Sequence, residues 1–187
     1  LKLLFCCSMY VSESTLGEQF DPDAYPKETY LLCELRWGNS KRSWKHWVRN
    51  DNHEDCHAEK CFLEKIFELR SSKFCYITWY LSWSPCAKCC HIIWDFLEEH
   101  PNVKIDIRVA RLYNIRFAET RRCLRELALW QDRVTINVNH LASVSADYRY
   151  CWETFIRKDY VSLPRNFQRA ITRNRLKLKK ILEVSTL

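Results

Sequence analysis

The stretch CYITWYLSWSPCAKC, residues 75–89, decides how this chain folds. Its first part, Cys75–Ser82, is rich in aromatic and β-branched residues, a composition that predicts a strand. Apolar residues then recur at helical spacing, and this pattern predicts a helix over Ala87–His100. The pair Cys86 and Cys89 lies where the two patterns meet. The stretch therefore predicts a strand that leads through a cysteine pair into a helix.

Apolar periodicity on either side of this stretch predicts further strands and helices. The other predicted strands are Thr29–Trp37, Trp44–Arg49, Val103–Val109 and Val134–Val138. The other predicted helices are His57–Arg70, Phe117–Trp130, Asp147–Arg157 and Arg165–Leu182. Strands that alternate with helices imply a sheet with helices on both faces, part of it parallel, so the predicted class is α/β.

Composition restricts the kind of protein this is. The 187 residues are 47% hydrophobic and 28% charged, which excludes a disordered chain. No repeat or linker divides them, so we interpret residues 1–19 as an N-terminal extension and residues 20–187 as one domain. Apolar runs are shorter than the about 18 residues of a transmembrane helix, and Leu1–Val11 lacks the cleavage site of a secretory signal. We therefore expect no membrane partner.

Charge and cysteine content point to the partner and to the redox state. The net charge of +7 favours a polyanionic partner such as nucleic acid. Eleven cysteines without an export signal predict reduced thiols or metal ligands, and the odd number forbids complete pairing within the chain.

Three residues have the spacing of metal ligands. Cys86 and Cys89 can bind one ion from a single helical turn, and His57, at the start of another helix, can provide the third ligand. Three protein ligands leave the fourth tetrahedral position to water, as in catalytic zinc sites. Glu59, two residues after His57, is placed to move protons. Cys90 is a neighbouring thiol whose side chain we expect to point elsewhere.

Each of these residues also has a simpler interpretation. A C-x-x-C pair alone fits a redox pair or structural zinc, His57 could be an ordinary helix-terminal histidine, and Glu59 a solvated carboxylate in a first turn. Their joint occurrence favours the catalytic interpretation, because His-x-Glu followed by Pro-Cys-x-x-Cys is the signature of zinc-dependent nucleobase deaminases.

The run Ser82-Trp83-Ser84-Pro85-Cys86 resembles the AID/APOBEC polynucleotide cytidine deaminases. The other matching segments are Glu28–Leu32, Cys56–Glu59, Thr78–Tyr80, Ala110–Tyr113 and Tyr150–Phe155. The likeness extends from about Phe20 to Leu182. Leu35–Gly38 followed by Trp44 is most similar to the apolipoprotein B messenger-RNA-editing branch, of a non-mammalian type.

The resemblance implies a fold, a cofactor and a reaction. The fold is the cytidine-deaminase-like three-layer α/β/α arrangement, with a five-stranded mixed sheet and about six helices. One zinc ion per chain is held by His57, Cys86 and Cys89. The reaction is hydrolysis of cytosine to uracil, with Glu59 as the catalytic proton shuttle.

The resemblance also implies a substrate surface. The substrate-binding residues are Thr29, Asn50, Ala58, Trp83, Ser84 and Tyr113. The loop that selects the flanking base is Asn114, Ile115, Arg116 and Phe117, and the candidate phosphate contacts are Lys27, Arg111 and Arg116. Aromatic walls suit a base that has left its stack, although Trp83 and Tyr113 could also be core residues.

The implied partners are single-stranded DNA and/or RNA, a second copy in a homodimer or RNA-mediated oligomer, and an editing cofactor protein. The implied location is cytoplasmic and/or nuclear, and the implied role is C-to-U editing or antiviral and antiretroelement mutation. The chain ends at Leu187, without the long hydrophobic C-terminal segment of the mammalian editing enzyme, which favours DNA as the substrate. Two alternatives stay open: a free-nucleoside cytidine deaminase, and a catalytically silent zinc-containing protein that binds single strands.

Overall fold

The computed structural model describes residues 9–50, 56–67, 73–138, 146–157 and 166–183. Its strands are β1 (Tyr30–Trp37), β2 (Trp44–Arg49), β3 (Cys75–Trp83), β4 (Val103–Arg111) and β5 (Val134–Val138). The α-helices in these residues are α1 (Glu13–Gln19), α2 (Ala58–Cys61), α3 (Ala87–Glu99), α4 (Ala118–Leu129), α5 (Ala146–Phe155) and α6 (Gln168–Glu183). A π-helical turn, Phe62–Ile66, continues α2.

The five strands form one mixed sheet in the order β2-β1-β3-β4-β5. Strand β1 is antiparallel to both β2 and β3, whereas β3, β4 and β5 are parallel. A tight turn at Gly38, whose φ is +53°, joins β1 to β2. Parallel strands need a crossover connection, which α3 and α4 provide. The carboxyl ends of β3 and β4 therefore lie side by side.

Two apolar clusters cover opposite faces of the sheet. Successive residues of β1 belong alternately to one cluster and the other, because successive side chains of a strand point to opposite faces. Leu31 and Leu35 belong to the larger cluster, which contains residues of α2, α3 and α4. Leu32 belongs to the smaller cluster, which contains residues of α1 and α5. The predicted three-layer arrangement with a five-stranded mixed sheet and six helices is confirmed.

Helix α1 is the element that sequence reasoning did not predict. Ser12 caps it by accepting a hydrogen bond from the Thr15 backbone N–H at 3.1 Å. Leu16 is fully buried, and Val11 donates its backbone N–H to Phe155 O at 2.8 Å. A single buried residue in two turns leaves no periodic signal. The segment packs on α5, while the domain boundary after residue 19 stays a prediction.

The boundaries of the predicted helices differ from those observed, most strongly for the first of them. In the described part of the helix expected over His57–Arg70, Ala58–Cys61 are α-helical and the chain then widens into the π-helical turn. Arg70 and Arg165 lie outside the described residues. No helix in the described part of the chain is both long and apolar enough to cross a bilayer.

The expectation that every cysteine is a reduced thiol or a metal ligand is wrong at one pair. Cys56 and Cys61 form a disulfide, with Cα atoms 5.7 Å apart. They lie at the two ends of the turn that contains His57 and Glu59, so local folding brings them together. The free cysteines in the described residues are Cys33, Cys75, Cys86, Cys89, Cys90, Cys123 and Cys151.

Candidate active site

Two helix starts bring the predicted metal ligands together. His57 is the residue immediately before α2, and Cys86 is the N-cap of α3, with Cys89 one turn further on. His57 Nδ1 lies 3.4 Å from Cys86 Sγ and 3.2 Å from Cys89 Sγ. Residues 75–89, with the predicted order of strand, cysteine pair and helix, therefore supply Cys86 and Cys89. The start of α2 supplies His57.

These three side chains fit one zinc ion. Zinc binds nitrogen at about 2.0 Å and sulfur at about 2.3 Å, which places tetrahedral ligand atoms about 3.5 Å apart. The observed nitrogen–sulfur distances of 3.4 Å and 3.2 Å are close to that value. Cys89 is buried, whereas His57 and Cys86 are partly exposed, so one side of the cluster is open to a ligand from solution.

The two thiols differ in acidity in the metal-free protein. A hydrogen bond from the Cys89 thiol lowers the pKa of Cys86 to about 5, and the Cys89 backbone N–H adds to this at 3.5 Å. The same pairing with Cys86, together with burial, raises the pKa of Cys89. The hydrogen bond thus favours the thiolate form of Cys86, and a bound divalent cation favours ionisation of both thiols.

Glu59 is a buried carboxyl group beside this cluster. It is 3% exposed, and burial raises its pKa to about 7, while a hydrogen bond with Cys89 acts in the opposite direction. A carboxyl group with a pKa near neutrality can both accept and return a proton, which is what a general acid–base group requires. The charge of a bound metal ion would lower this pKa.

Aromatic rings form a rim next to the ligands. Trp83 ends β3 three residues before Cys86, and its ring lies 6.2 Å from that of Tyr113 at an interplanar angle of 78°. Trp83 Nε1 donates to Pro26 O at 3.1 Å, which fixes the ring. Tyr113 is 40% exposed and Trp83 partly exposed, so both rings can meet a ligand.

Arg111 does not lie where a phosphate contact needs it. Its side chain is 2% exposed, because the parallel register of β3 and β4 pairs Arg111 with Trp83 and places the guanidinium 4.4 Å from that ring. The guanidinium donates to the carbonyl oxygens of Gln19, Asp21 and Ala24. We therefore remove Arg111 from the candidate phosphate contacts: it anchors the segment that leads into β1.

Hydrogen bonds fix the positions of three other residues that were predicted to contact the nucleotide. The Thr29 backbone N–H donates to Asn50 Oδ1 at 2.9 Å, and the Asn50 backbone N–H donates to Thr29 O at 3.0 Å. The Tyr113 backbone N–H donates to Ser84 Oγ at 2.9 Å, which ties the ends of β3 and β4 together. Ala58 is fully buried, so the structure does not expose this predicted contact to a substrate.

The predicted flanking-base loop is exposed and well anchored. Asn114 takes a left-handed conformation with φ of +43°, which turns the chain after Tyr113. Arg121 Nη1 donates to the carbonyl oxygens of Ile115 and Arg116, each at 2.7 Å. Phe117 is 63% exposed, Arg116 and Lys27 are exposed, and Ile115 packs against the core. The exposed members have the character needed to contact a chain of bases and phosphates.

Sequence reasoning missed two residues of this region. Tyr25 is 81% exposed, and its ring lies 6.2 Å from that of Trp83 at an interplanar angle of 41°. Arg121 shapes the loop from α4. The Tyr25-Pro26 pair before β1 was a signal for an exposed turn, but its contact with a residue so distant in sequence depends on the pairing of β1 with β3.

The side chain of Cys90 was expected to point away from the metal ligands. Cys90 is 3% exposed and packs in the larger apolar cluster, away from the three ligand atoms that the structure groups together. The expectation that its side chain points elsewhere on the helix is confirmed.

Several known proteins are similar to this chain in amino-acid sequence. The profile of the APOBEC4-like AID/APOBEC deaminases matches residues 19–158, which include all three ligands and Glu59. The C->U-editing enzyme APOBEC-1 of Oryctolagus cuniculus is 41% identical over 140 residues, or 73% of this chain and 56% of that protein. The enzymes of the same name from Mus musculus and Homo sapiens are 39% and 36% identical over 140 residues.

The aligned 140 residues amount to 73% of this chain, but only 57% of the mouse protein and 56% of the human one, so the match spans little more than half of these relatives. The non-mammalian type within the branch stays a prediction. A profile that covers most of the chain, together with the ligand geometry at His57, Cys86 and Cys89, settles the wider group. The chain belongs to the AID/APOBEC deaminase family.

Proposed function

We propose that this protein catalyses zinc-dependent hydrolytic deamination of cytosine to uracil in single-stranded nucleic acid. The observation that carries the proposal is a buried Glu59 beside a His–Cys–Cys cluster whose spacing fits one zinc ion. A structural zinc site has no use for a buried carboxyl group that does not bind the metal. The cluster and Glu59 together therefore favour a catalytic zinc site over a structural one.

The residues have distinct tasks in this reaction. When bound by His57, Cys86 and Cys89, zinc supplies Lewis-acid activation of water near the base. Glu59 accepts a proton from the attacking water, delivers it to ring nitrogen 3, and then helps to protonate the departing amino group. Cytosine and water are consumed, and uracil and ammonia are released.

The rim supports a polynucleotide rather than a free nucleoside as substrate. A base must leave its stack to reach the cluster, and Trp83 and Tyr113 provide aromatic surfaces for it. Tyr25 and Phe117 are exposed beyond this pair, where they can stack on flanking bases, while Lys27 and Arg116 can follow the phosphates. A nucleoside pocket gains nothing from such an exposed rim.

The finer proposals concern the nucleic acid and its use. We propose single-stranded DNA as the main substrate and RNA as the second, in the cytoplasm or the nucleus. C-to-U editing would follow from action on RNA, and mutation of viral or retroelement sequences from action on DNA. We also keep a homodimer, an RNA-mediated oligomer and an editing cofactor protein as proposed partners.

The deciding experiment incubates the zinc-loaded protein with a random single-stranded DNA pool and with the same pool as RNA, and sequences the uracils formed. We expect cytosine-to-uracil changes in the DNA pool, with a preference at the flanking position. Free cytidine, tested in parallel, should be a poor substrate. Turnover of cytidine alone would establish the nucleoside deaminase instead, and tight binding without deamination would establish a silent binding protein.

The matched variant is Glu59→Gln, which keeps the shape of the side chain but cannot carry the proton. We expect deamination to fall by at least about 100-fold, because general acid–base catalysis contributes that much or more. Zinc content should not change, since Glu59 is not a ligand. Glu64→Gln, an exposed position in the π-helical turn, is the control and should retain activity.

A further inference from the structure

A second group of metal-binding side chains lies between α3 and α4. It consists of His91 on α3 and of Cys123 and Glu126 on α4. His91 Nε2 lies 3.8 Å from Cys123 Sγ, and the three ligand atoms all lie within 4.8 Å of one another. The family profile and the proposed reaction assign no role to these residues.

This group is distinct from the candidate active site. His91 follows Cys89 by two residues, which turns its side chain about 200° around the helix. Cys89 is buried towards the first cluster, whereas His91 is exposed on the other side. Cys123 and Glu126 are three residues apart and so share one face of α4. The α3–α4 packing therefore creates the group.

The donor set selects the class of metal. A histidine nitrogen, a cysteine sulfur and a carboxylate oxygen are the ligands that zinc accepts, whereas calcium and magnesium take oxygen alone. A tetrahedral zinc ion needs its nitrogen and sulfur ligands about 3.5 Å apart. The His91–Cys123 distance of 3.8 Å lies within a few tenths of an ångström of that value.

The Glu126 side chain can reorient to bind a zinc ion at little cost. Glu126 makes an ion pair with Arg122 at 3.6 Å, but the two side chains are 50% and 59% exposed. Exposed pairs of this kind contribute little to stability, so a metal ion can displace Arg122. Cys123 is 2% exposed, and its burial gives the cluster a fixed ligand around which the exposed His91 and Glu126 can adjust.

We propose that His91, Cys123 and Glu126 form a second zinc site that clamps α3 to α4. Bound there, zinc would link two helices that lie consecutively in the chain on one face of the sheet. This inference does not depend on the proposed deaminase activity, because it concerns a separate set of ligands.

The test measures zinc per chain by elemental analysis, in the full-length protein equilibrated with a buffer that fixes the free zinc concentration. We expect two ions in the wild type and one in each of Glu126→Gln and His91→Gln. Both positions are exposed, so these variants should fold, and circular dichroism checks this. Glu119→Gln, in the first turn of α4 and outside the group, is the matched control and should keep two ions.

A second pair of variants separates the two sites. Cys86→Ser should lose the active-site ion and keep one, and combining it with Glu126→Gln should leave none. Deamination should be unchanged in Glu126→Gln. A single ion in the wild type would overturn the proposal, and so would a second ion that persists in both Glu126→Gln and His91→Gln, since it would then be an adventitious ion only.

Discussion

Tyr25 presents an exposed aromatic ring next to the candidate active site. It is 81% exposed in the segment before β1, and its ring lies 6.2 Å from that of Trp83. The guanidinium of Arg111 holds this segment by its backbone carbonyl oxygens, including that of Ala24. An exposed ring on an anchored backbone can stack on a base with little loss of conformational freedom.

We predict that Tyr25→Ala weakens binding of a single-stranded oligonucleotide by about fivefold or more, because stacking on one base contributes about 1–3 kcal/mol. Fluorescence anisotropy with a labelled oligonucleotide measures the change. Tyr76→Ala is the control, since Tyr76 is also an exposed tyrosine, at 40%, but lies near the start of β3, far along the strand from Trp83. Equal losses in both variants would show that Tyr25 has no special role.

At the scale of single elements, the candidate metal ligand His57 and the candidate catalytic group Glu59 lie at the start of the very short helix α2. Four α-helical residues cannot hold their own conformation in isolation. The Cys56–Cys61 disulfide closes this turn, and Ala58, Phe62 and Leu63 bury it against the sheet. The disulfide and the core contacts together position His57 and Glu59.

We predict that reduction of the Cys56–Cys61 disulfide lowers the free energy of unfolding by about 2 kcal/mol, the loop-closure entropy of so short a loop. Chemical denaturation of the zinc-loaded protein, with and without a phosphine reductant, measures this difference. The variant Cys61→Ser lacks the disulfide, so its stability should not respond to the reductant. A reductant effect of the same size in Cys61→Ser would assign the loss to other thiols.

Strand β2 carries a histidine that makes stability depend on pH. Burial lowers the pKa of His46 below its usual value of 6.5. The unfolded chain therefore binds the proton more readily, so this contribution to stability is complete above pH 6.5 and is lost as the pH falls through 6.5 towards the lowered pKa. We predict that the stability difference between wild type and His46→Gln shrinks between pH 7 and pH 5.

Thermal unfolding of both proteins, at each pH and with excess zinc, measures the contribution of His46. His100→Gln, at the C-terminal end of α3 and outside β2, is the control variant. A constant difference between wild type and His46→Gln across this range would contradict the prediction.

At the scale of the whole molecule, the candidate active site joins segments that are far apart in sequence. His57 and Cys86 precede different helices, and the sheet fixes both helices through β1 and β3. A metal ion at the three ligands binds the folded chain and not the unfolded one, so it stabilises the fold by mass action.

We predict that chelation of zinc lowers the midpoint of thermal unfolding, and that each tenfold rise in free zinc above the dissociation constant adds about 1.4 kcal/mol. The Glu126→Gln background isolates the active-site cluster for this measurement. In Cys86→Ser combined with Glu126→Gln, the midpoint should no longer respond to the chelator; a persistent response there would place the stabilising zinc elsewhere.

The sequence by itself determined most of the strand and helix pattern and the candidate metal ligands. Residues 75–89 predicted β3, the cysteine pair and α3 in order, and the observed bounds differ by only one residue at the end of each element. This was possible because apolar periodicity and ligand spacing are local properties. His57 and Glu59 were found for the same reason, since two residues of one turn have a fixed separation.

Only the tertiary structure decided the contacts between distant segments. Arg111 is buried under Trp83 because β3 and β4 pair in parallel, and Tyr25 reaches Trp83 because β1 pairs with β3. His91 meets Cys123 because α3 packs on α4. Such contacts depend on strand order, register and helix packing, and these arise when the whole apolar core is buried at once, which no short stretch of residues encodes.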